Sequence, residues 1–334
     1  MSILTPPIAG LDSITVSLNP DRTIGGLWRR LFAAFIDAII VGVIGMLIAL
    51  PFFDTFSRLG GWGRLVGFCL AVPYYGLLNS RLGSGQTLGK RLMHLQVVNA
   101  LGETISFSKA LLRFAFLGAP FFLNEMTLPL TRTPKFVFNL IGIIVFGLGG
   151  ITIYLVLFNR HTRQGVHDLV AGSYVADAVK KGALRVEPMW KGHWVVIGAL
   201  IVVGIIGGKI LEAKILKLAD FPVMFADVRL IEGMEGVQSA SISDLTWTSW
   251  SGAENEKKTI YVVNVFWSGK KGEEEAFANR VASQILQHNT QVMERNLLRI
   301  VIIRGYDLGI AHAEVTHRFE DTPTKWKTKL RGSM

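Results

Sequence analysis

The sequence predicts an all-α polytopic transmembrane bundle of about five helices, followed by a small α+β soluble domain. Three observations carry that reading. Half of the 334 residues are hydrophobic and only 18% are charged, giving a mean hydropathy of +0.39, on the membrane side of the soluble average. Apolar runs long enough to cross a bilayer, which takes about 20 residues, recur as far as the stretch beginning at Trp194. Beyond Lys217 the pattern changes to alternating, strand-like segments with one amphipathic helix.

The elements follow in order. Residues 1–24 form a cytoplasmic amino-terminal segment. Residues 25–178 form a transmembrane module with spans at 31–53, 59–79, 110–130 and 136–158. The first is apolar except for Asp37, and the fourth is clean. The second carries Arg64 and Pro73. The third has Arg113 and Glu125 near its ends, and a re-entrant or interfacial helix is its alternative. A cytoplasmic linker, 179–192, leads to a fifth span, 193–217. Trp28, Trp62, Trp190 and Trp194 stand at or near predicted ends, as interfacial anchors do. The first apolar run starts late and is longer than the core of a signal peptide, so it is expected to remain as an anchor. Lys and Arg concentrate in the amino-terminal segment and in the loops after the second and fourth spans. With five crossings these fall on one side, so the amino terminus is expected in the cytoplasm of a bacterial inner membrane and residues 218–334 outside it.

In that outer domain, "DLTWTSW", "TIYVVNVFW", "LLRIVIIR" and "IAHAEVTHRFE" read as strands. "GEEEAFANRVASQILQHN" reads as a helix with Phe277, Val281 and Ile285 on one stripe. In the loop after the second span, "LQVVNALGETISF" reads as a strand, a turn and a strand, and Ser108 is placed to cap the helix that follows.

The formal net charge is +10, but the basic residues gather at the ends of apolar runs. This fits anionic lipid headgroups and argues against nucleic acid. Cys69 is the only cysteine and is read as a small buried hydrophobe; one cysteine excludes internal disulfides and thiolate metal clusters. "GSGQTLGKR" fails as a phosphate loop: the glycine spacing is too short and Arg91 stands where Ser or Thr is required. It reads instead as a tight turn followed by a basic segment facing lipid. "RHTRQGVHDLVAGSYVADA" holds His161, His167 and Asp168 without metal-ligand spacing, and reads as a linker pinned by polar contacts, with His167 able to titrate near neutrality. No catalytic residue, cofactor or metal site is expected, for neither G-x-S-x-G nor H-E-x-x-H occurs.

Asp37 is the sharpest feature. A charged residue near the centre of a spanning helix costs about 2.5–3.5 kcal/mol on insertion scales, so it should face the interior and find a partner. Arg30 lies seven residues back on nearly the same face, about 10 Å away along the axis. Arg113 is an equally good candidate, and a bound cation or a proton is a third. Arg29, His167 and Glu125 are secondary candidates; Glu125 could line a pore or sit at the interface.

Arg30 with Ala34 and Asp37, "GQTLGKRLMHLQVV" with "LGETIS", "ALLR" and "RQGVHDLVAGSYV" together resemble the RDD family of membrane proteins over about residues 25 to 178. That family is named for one arginine and two aspartates, and the matching positions are Arg30, Asp37 and Asp168. The resemblance implies a polytopic module associated with transport, for which sodium–proton antiport has been proposed in some members. Two functions are expected, from the sparse intramembrane charge with open strand edges and from the intramembrane carboxylate. One is an accessory or scaffold subunit that docks other membrane or envelope proteins through its outer domain. The other is a small cation or proton transporter using Asp37. A homo-oligomer is compatible with either.

Overall fold

The computed structural model describes residues 22–215, 217, 221–251 and 254–331. Most of the expected amino-terminal segment 1–24 lies outside the described residues.

The helical half begins with α1 (Leu27–Ala49), which continues through a 3₁₀ turn into α2 (Phe53–Ser57). Then come α3 (Gly63–Leu78), the short α4 (Leu88–Leu92), strand β1 (Leu95–Val98) and α5 (Phe107–Leu123). Next, α6 (Lys135–Gly142) and α7 (Gly149–Phe158) are one helix joined by a π turn at Ile143–Leu148. Then follow α8 (Val166–Ala171), β2 (Tyr174–Asp177) and α9 (Gly192–Ile215). Among the described residues, three helical stretches are long and apolar enough to cross a membrane: Leu27–Ser57, Lys135–Phe158 and Gly192–Ile215.

α3 and α5 have 16 and 17 residues and fall short of the spans expected at 59–79 and 110–130. α5 ends where Asn124 turns to extended backbone, so Glu125 sits in an exposed loop and not in a helix. Burial of α3 and α5 inside the bundle explains their weaker apolar signal. Phe68 stacks on Phe114 at 5.2 Å, and Tyr75 stacks on the other side of Phe114 at 4.8 Å. α9 is anchored near its start, where the Tyr154 hydroxyl meets His193 Nδ1 at 2.9 Å, and most of its length is exposed. Cys69 corrects the expectation of burial: it is exposed on α3.

At one end of the bundle, β1 pairs antiparallel with β2, Val97 opposite Val175. The expected local hairpin is reduced to a single bridge between Val98 and Thr104. β1, in the connection between α4 and α5, instead pairs with β2 in the chain after α8, a partner that no local pattern announces. The cap of α5 is Ser106, whose side chain accepts from Lys109 N–H, and not Ser108.

The second half contains α10 (Phe221–Glu232), β3 (Val237–Ser251), β4 (Glu254–Trp267), α11 (Glu274–His288), β5 (Leu297–Asp307), β6 (His312–Asp321) and α12 (Pro323–Arg331). The sheet order is β3-β4-β5-β6, with β4 and β5 parallel and the other pairs antiparallel. Phe277, Val281 and Ile285 of α11 are buried against Val263, Val265, Ile300 and Ile302, as the stripe requires. Trp326 of α12 closes the same core, its indole N–H donating to the Leu298 carbonyl at 3.0 Å.

The sheet domain is seated on the bundle by the β5–β6 turn, 307–311. Leu308 is fully buried among Ala49, Phe53, Val66 and Leu70. The approach is so close that a Cβ on Gly67 would overlap the Leu308 carbonyl oxygen. Arg64 of α3 holds the turn by an ion pair with Asp307 at 2.6 Å. Buried Glu232 accepts from the backbone N–H groups of Leu130 and Thr131 at 2.8 and 2.9 Å, which ties α10 to the loop after α5. Leu308→Ala should cost about 2–5 kcal/mol, the range for emptying a packed leucine site. Thermal unfolding of the full chain in mild detergent should show a clearly lowered midpoint, and an unchanged midpoint would mean that this turn is not seated.

Candidate functional site

Asp37 lies ten residues into α1 and is 1% exposed. Both carboxylate oxygens are taken by protein donors. The Tyr74 hydroxyl donates to Oδ1 at 2.7 Å, the Gly89 N–H donates to Oδ1 at 2.8 Å, and the Thr87 hydroxyl donates to Oδ2 at 2.6 Å. The stretch that resembled a phosphate loop is thus an anion cradle whose anion belongs to the protein. Thr87 starts α4, and Gly89 is required because a Cβ there would overlap the Ala33 carbonyl oxygen. The nearest cation is Lys90 Nζ, 4.0 Å from Asp37 Oδ2. Lys90 was expected to face lipid; its neighbours Thr87 and Asp37 turn it inward.

Neither arginine proposed as the partner of Asp37 bonds to it. Arg30 donates to the carbonyls of Gly25, Arg163 and Val175 at 3.1, 2.6 and 2.9 Å. Its guanidinium pins the chain before α1 to the loop and strand that follow α7, and this is what a fan of five donors does well. Arg113 Nε donates to Asp168 Oδ1 at 2.8 Å, with both side chains buried. Ser173 Oγ donates to the same oxygen at 3.0 Å, and His167 Nε2 lies 3.2 Å from Oδ2. Arg29 pairs with Asp177 at 2.8 Å and also donates to the Met93 and His94 carbonyls. Glu125 is far from this cluster. It stands beside Arg64, at 3.3 Å, at the end of the bundle that receives the sheet domain.

The electrostatics follow from burial and sign. Burial pushes the Asp168 carboxyl up, but Arg113, His167 and Arg30 outweigh it and hold it well below the usual carboxylate range. Burial pulls the His167 ring down despite Asp168, so the neutral form dominates near pH 7. Lys90 is lowered to about 8 by burial and by Arg113, against the opposing pull of Asp37 and Asp168. Asp37, Lys90, Arg113, His167 and Asp168 all line one cavity of about 540 Å³.

Sequence reasoning missed Tyr74, Thr87, Gly89 and Lys90. The available signal was the Thr-Leu-Gly order at the start of a short helix, which offers a hydroxyl and a free backbone N–H together. Nothing in the sequence tied it to Asp37, 50 residues away. Arg64 with Asp307, 243 residues apart, carried no signal at all.

A helical bundle with apolar, exposed outer faces and a buried network of alternating charge is the interior of an integral membrane protein. The comparisons agree. The RDD family model matches residues 24–172. Uncharacterized protein YckC of Bacillus subtilis (strain 168) is 28% identical over 153 residues, 46% of this chain and 84% of that protein. Uncharacterized protein YxaI of the same organism is 31% identical over 110 residues, 27% of this chain and 72% of that protein. The chain belongs to the RDD family. No solved structure matches it.

The Lys90 ammonium gives a pH prediction. Its pKa in the folded protein is about 8, below the ordinary 10.5, so between these values the unfolded chain binds a proton that the folded chain does not. Stability therefore rises with pH across that window. The thermal midpoint of the wild type should climb relative to Lys90→Met from pH 8 to pH 10.5, and parallel curves for the two proteins would contradict the burial of this ammonium.

Proposed function

We propose that this protein is an accessory or scaffold subunit of a membrane-envelope complex, docking partners through an extracytoplasmic sheet domain. The proposed layout has five crossings in a bacterial inner membrane, with α3 and α5 as short inner spans whose flanking loops are sheltered by protein. Arg22, Arg29, Arg30, Lys90, Arg91, Arg160 and Arg163 lie in or beside the segments at the β1–β2 end, which favours that end as the cytoplasmic one. Residues 25–178 would be the anchor module and 218–334 the docking domain, joined through 179–192 and the fifth helix.

One observation carries the docking reading. β3 and β4 remain paired out to Ser251 opposite Glu254, whereas β5 joins β4 only from Ile260. A two-stranded arm therefore projects past the sheet, and among the described residues no strand pairs with the outer edge of β3. Exposed strand edges recruit strands from other chains. The satisfied carboxylate of Asp37 points the same way, toward a structural role for the buried charges. Cross-linking in intact membranes followed by gentle solubilisation should recover a stoichiometric partner. Replacing residues 248–257 with Asn-Gly, which closes the hairpin early, should reduce that recovery about tenfold. Undiminished recovery, or a lone wild-type chain in several mild detergents, would refute docking by the arm.

A second reading, cation or proton transport through Asp37, is favoured by one observation: Asp37 and Lys90, a base near pH 8, share a cavity wall. Vesicles reconstituted with the wild type would then show sodium- or potassium-dependent proton flux that Asp37→Asn abolishes. Equal flux in both removes Asp37 from any such path.

A further inference from the structure

The cavity of about 540 Å³ has the size of a ligand site and two unlike ends. Its walls are apolar and come from α1, α5 and α7. Leu31, Phe121, Ile153 and Leu157 on these walls are also exposed on the outer surface, at 48, 57, 62 and 42%, so the cavity opens sideways toward lipid. Gly309 and Ile310 of the β5–β6 turn close it at the sheet end. Its polar residues, Arg30, Lys90, His167 and Asp168 among them, lie toward the β1–β2 end.

The charge on this wall selects an anion: Arg30, Lys90 and Arg113 contribute three positive charges to it, against two negative charges from Asp37 and Asp168. Arg113 uses only Nε on Asp168 among the described residues, so its two terminal nitrogens are available to an anion.

We propose that this cavity binds one phospholipid carrying a single phosphodiester charge, of the phosphatidylglycerol kind. The phosphodiester sits against Arg113 and Lys90 and brings the local charge to zero. The acyl chains lie along Phe121, Ile153 and Leu157 and leave between α1 and α7. This goes beyond the docking function and does not depend on it, because the site lies in the helical module and not in the arm.

The test uses the full chain in neutral detergent and native mass spectrometry after incubation with phosphatidylglycerol, phosphatidylethanolamine or phosphatidylcholine. One phosphatidylglycerol per chain should be retained, at least tenfold in preference to the other two. Ala34→Trp fills the cavity from an exposed position on α1 without touching the charges, and should abolish retention while the thermal midpoint stays near that of the wild type. Soluble glycerol phosphate and inorganic phosphate should not displace the lipid. Equal retention of all three lipids, undiminished retention by Ala34→Trp, or displacement by the soluble phosphates would overturn the proposal. Loss of the arm-dependent partner would leave it untouched.

Discussion

A carboxylate inside an apolar helix must be neutralised or fully hydrogen-bonded, and Asp37 achieves this with a donor set rather than a counter-ion. Tyr74, Thr87 and Gly89 converge on its two oxygens, and the nearest cation stays 4.0 Å away. Three charge-assisted hydrogen bonds in a site of low dielectric are strong, and leaving any of these groups unmade would be costly. That constraint positions α4. The short helix must bring Gly89 against Ala33 of α1, which turns Lys90 inward and delivers the chain to β1. From β1 the pairing with β2 fixes the segment after α7, and with it Asp168. The second buried aspartate is then met by Arg113 from α5. A single buried charge thus organises four segments at one end of the bundle.

The sequence made part of this legible. Asp37 stood out because nearly everything beside it is apolar, and the strands and amphipathic helix of the sheet domain were readable because their periods are local. α11 is the clear case: Phe277, Val281 and Ile285 repeat at four residues and all meet the core. What stayed hidden depends on pairs distant in sequence. β1 has the composition of a strand, but its partner lies beyond α5, α6, α7 and α8, so a nearby hairpin looked like the economical choice. Arg30 was matched to Asp37 by helical spacing, yet its donors go to carbonyls of the 163–175 segment, where backbone acceptors would otherwise be buried unpaired. α10 and α12 were missed because they are short and take their place from packing against the sheet.

The buried arginines and lysine share a logic that separates them from surface ion pairs. Arg30 is held by several carbonyls at once, and Arg113 and Lys90 meet their carboxylates inside the bundle and not across solvent. Removing one member of such a network leaves its partner charged and dry, which is destabilising in a way that an exposed pair is not. Arg299 with Glu320 on the sheet surface illustrates the contrast. It has a good distance of 2.7 Å, but both side chains are partly exposed and little depends on the pair. The network around Asp168 is therefore the rigid floor of the module, and the cavity above it is the space that this floor and the helix walls cannot fill.

The sheet domain completes the module at the opposite end. The segment matching the RDD family stops at residue 172, so the turn 307–311 belongs to a part of the chain outside that match. Yet it seats itself against Gly42, Gly45, Gly63 and Gly67, all of them inside the matched segment. Small residues on α1 and α3 thus open a notch that a later part of the same chain occupies, with Arg64 and Asp307 fixing the depth. A domain tethered only through α9 would leave that notch unfilled. The close fit of Leu308 instead joins sheet and bundle directly, through β5 and the turn to α1, the helix that carries Asp37.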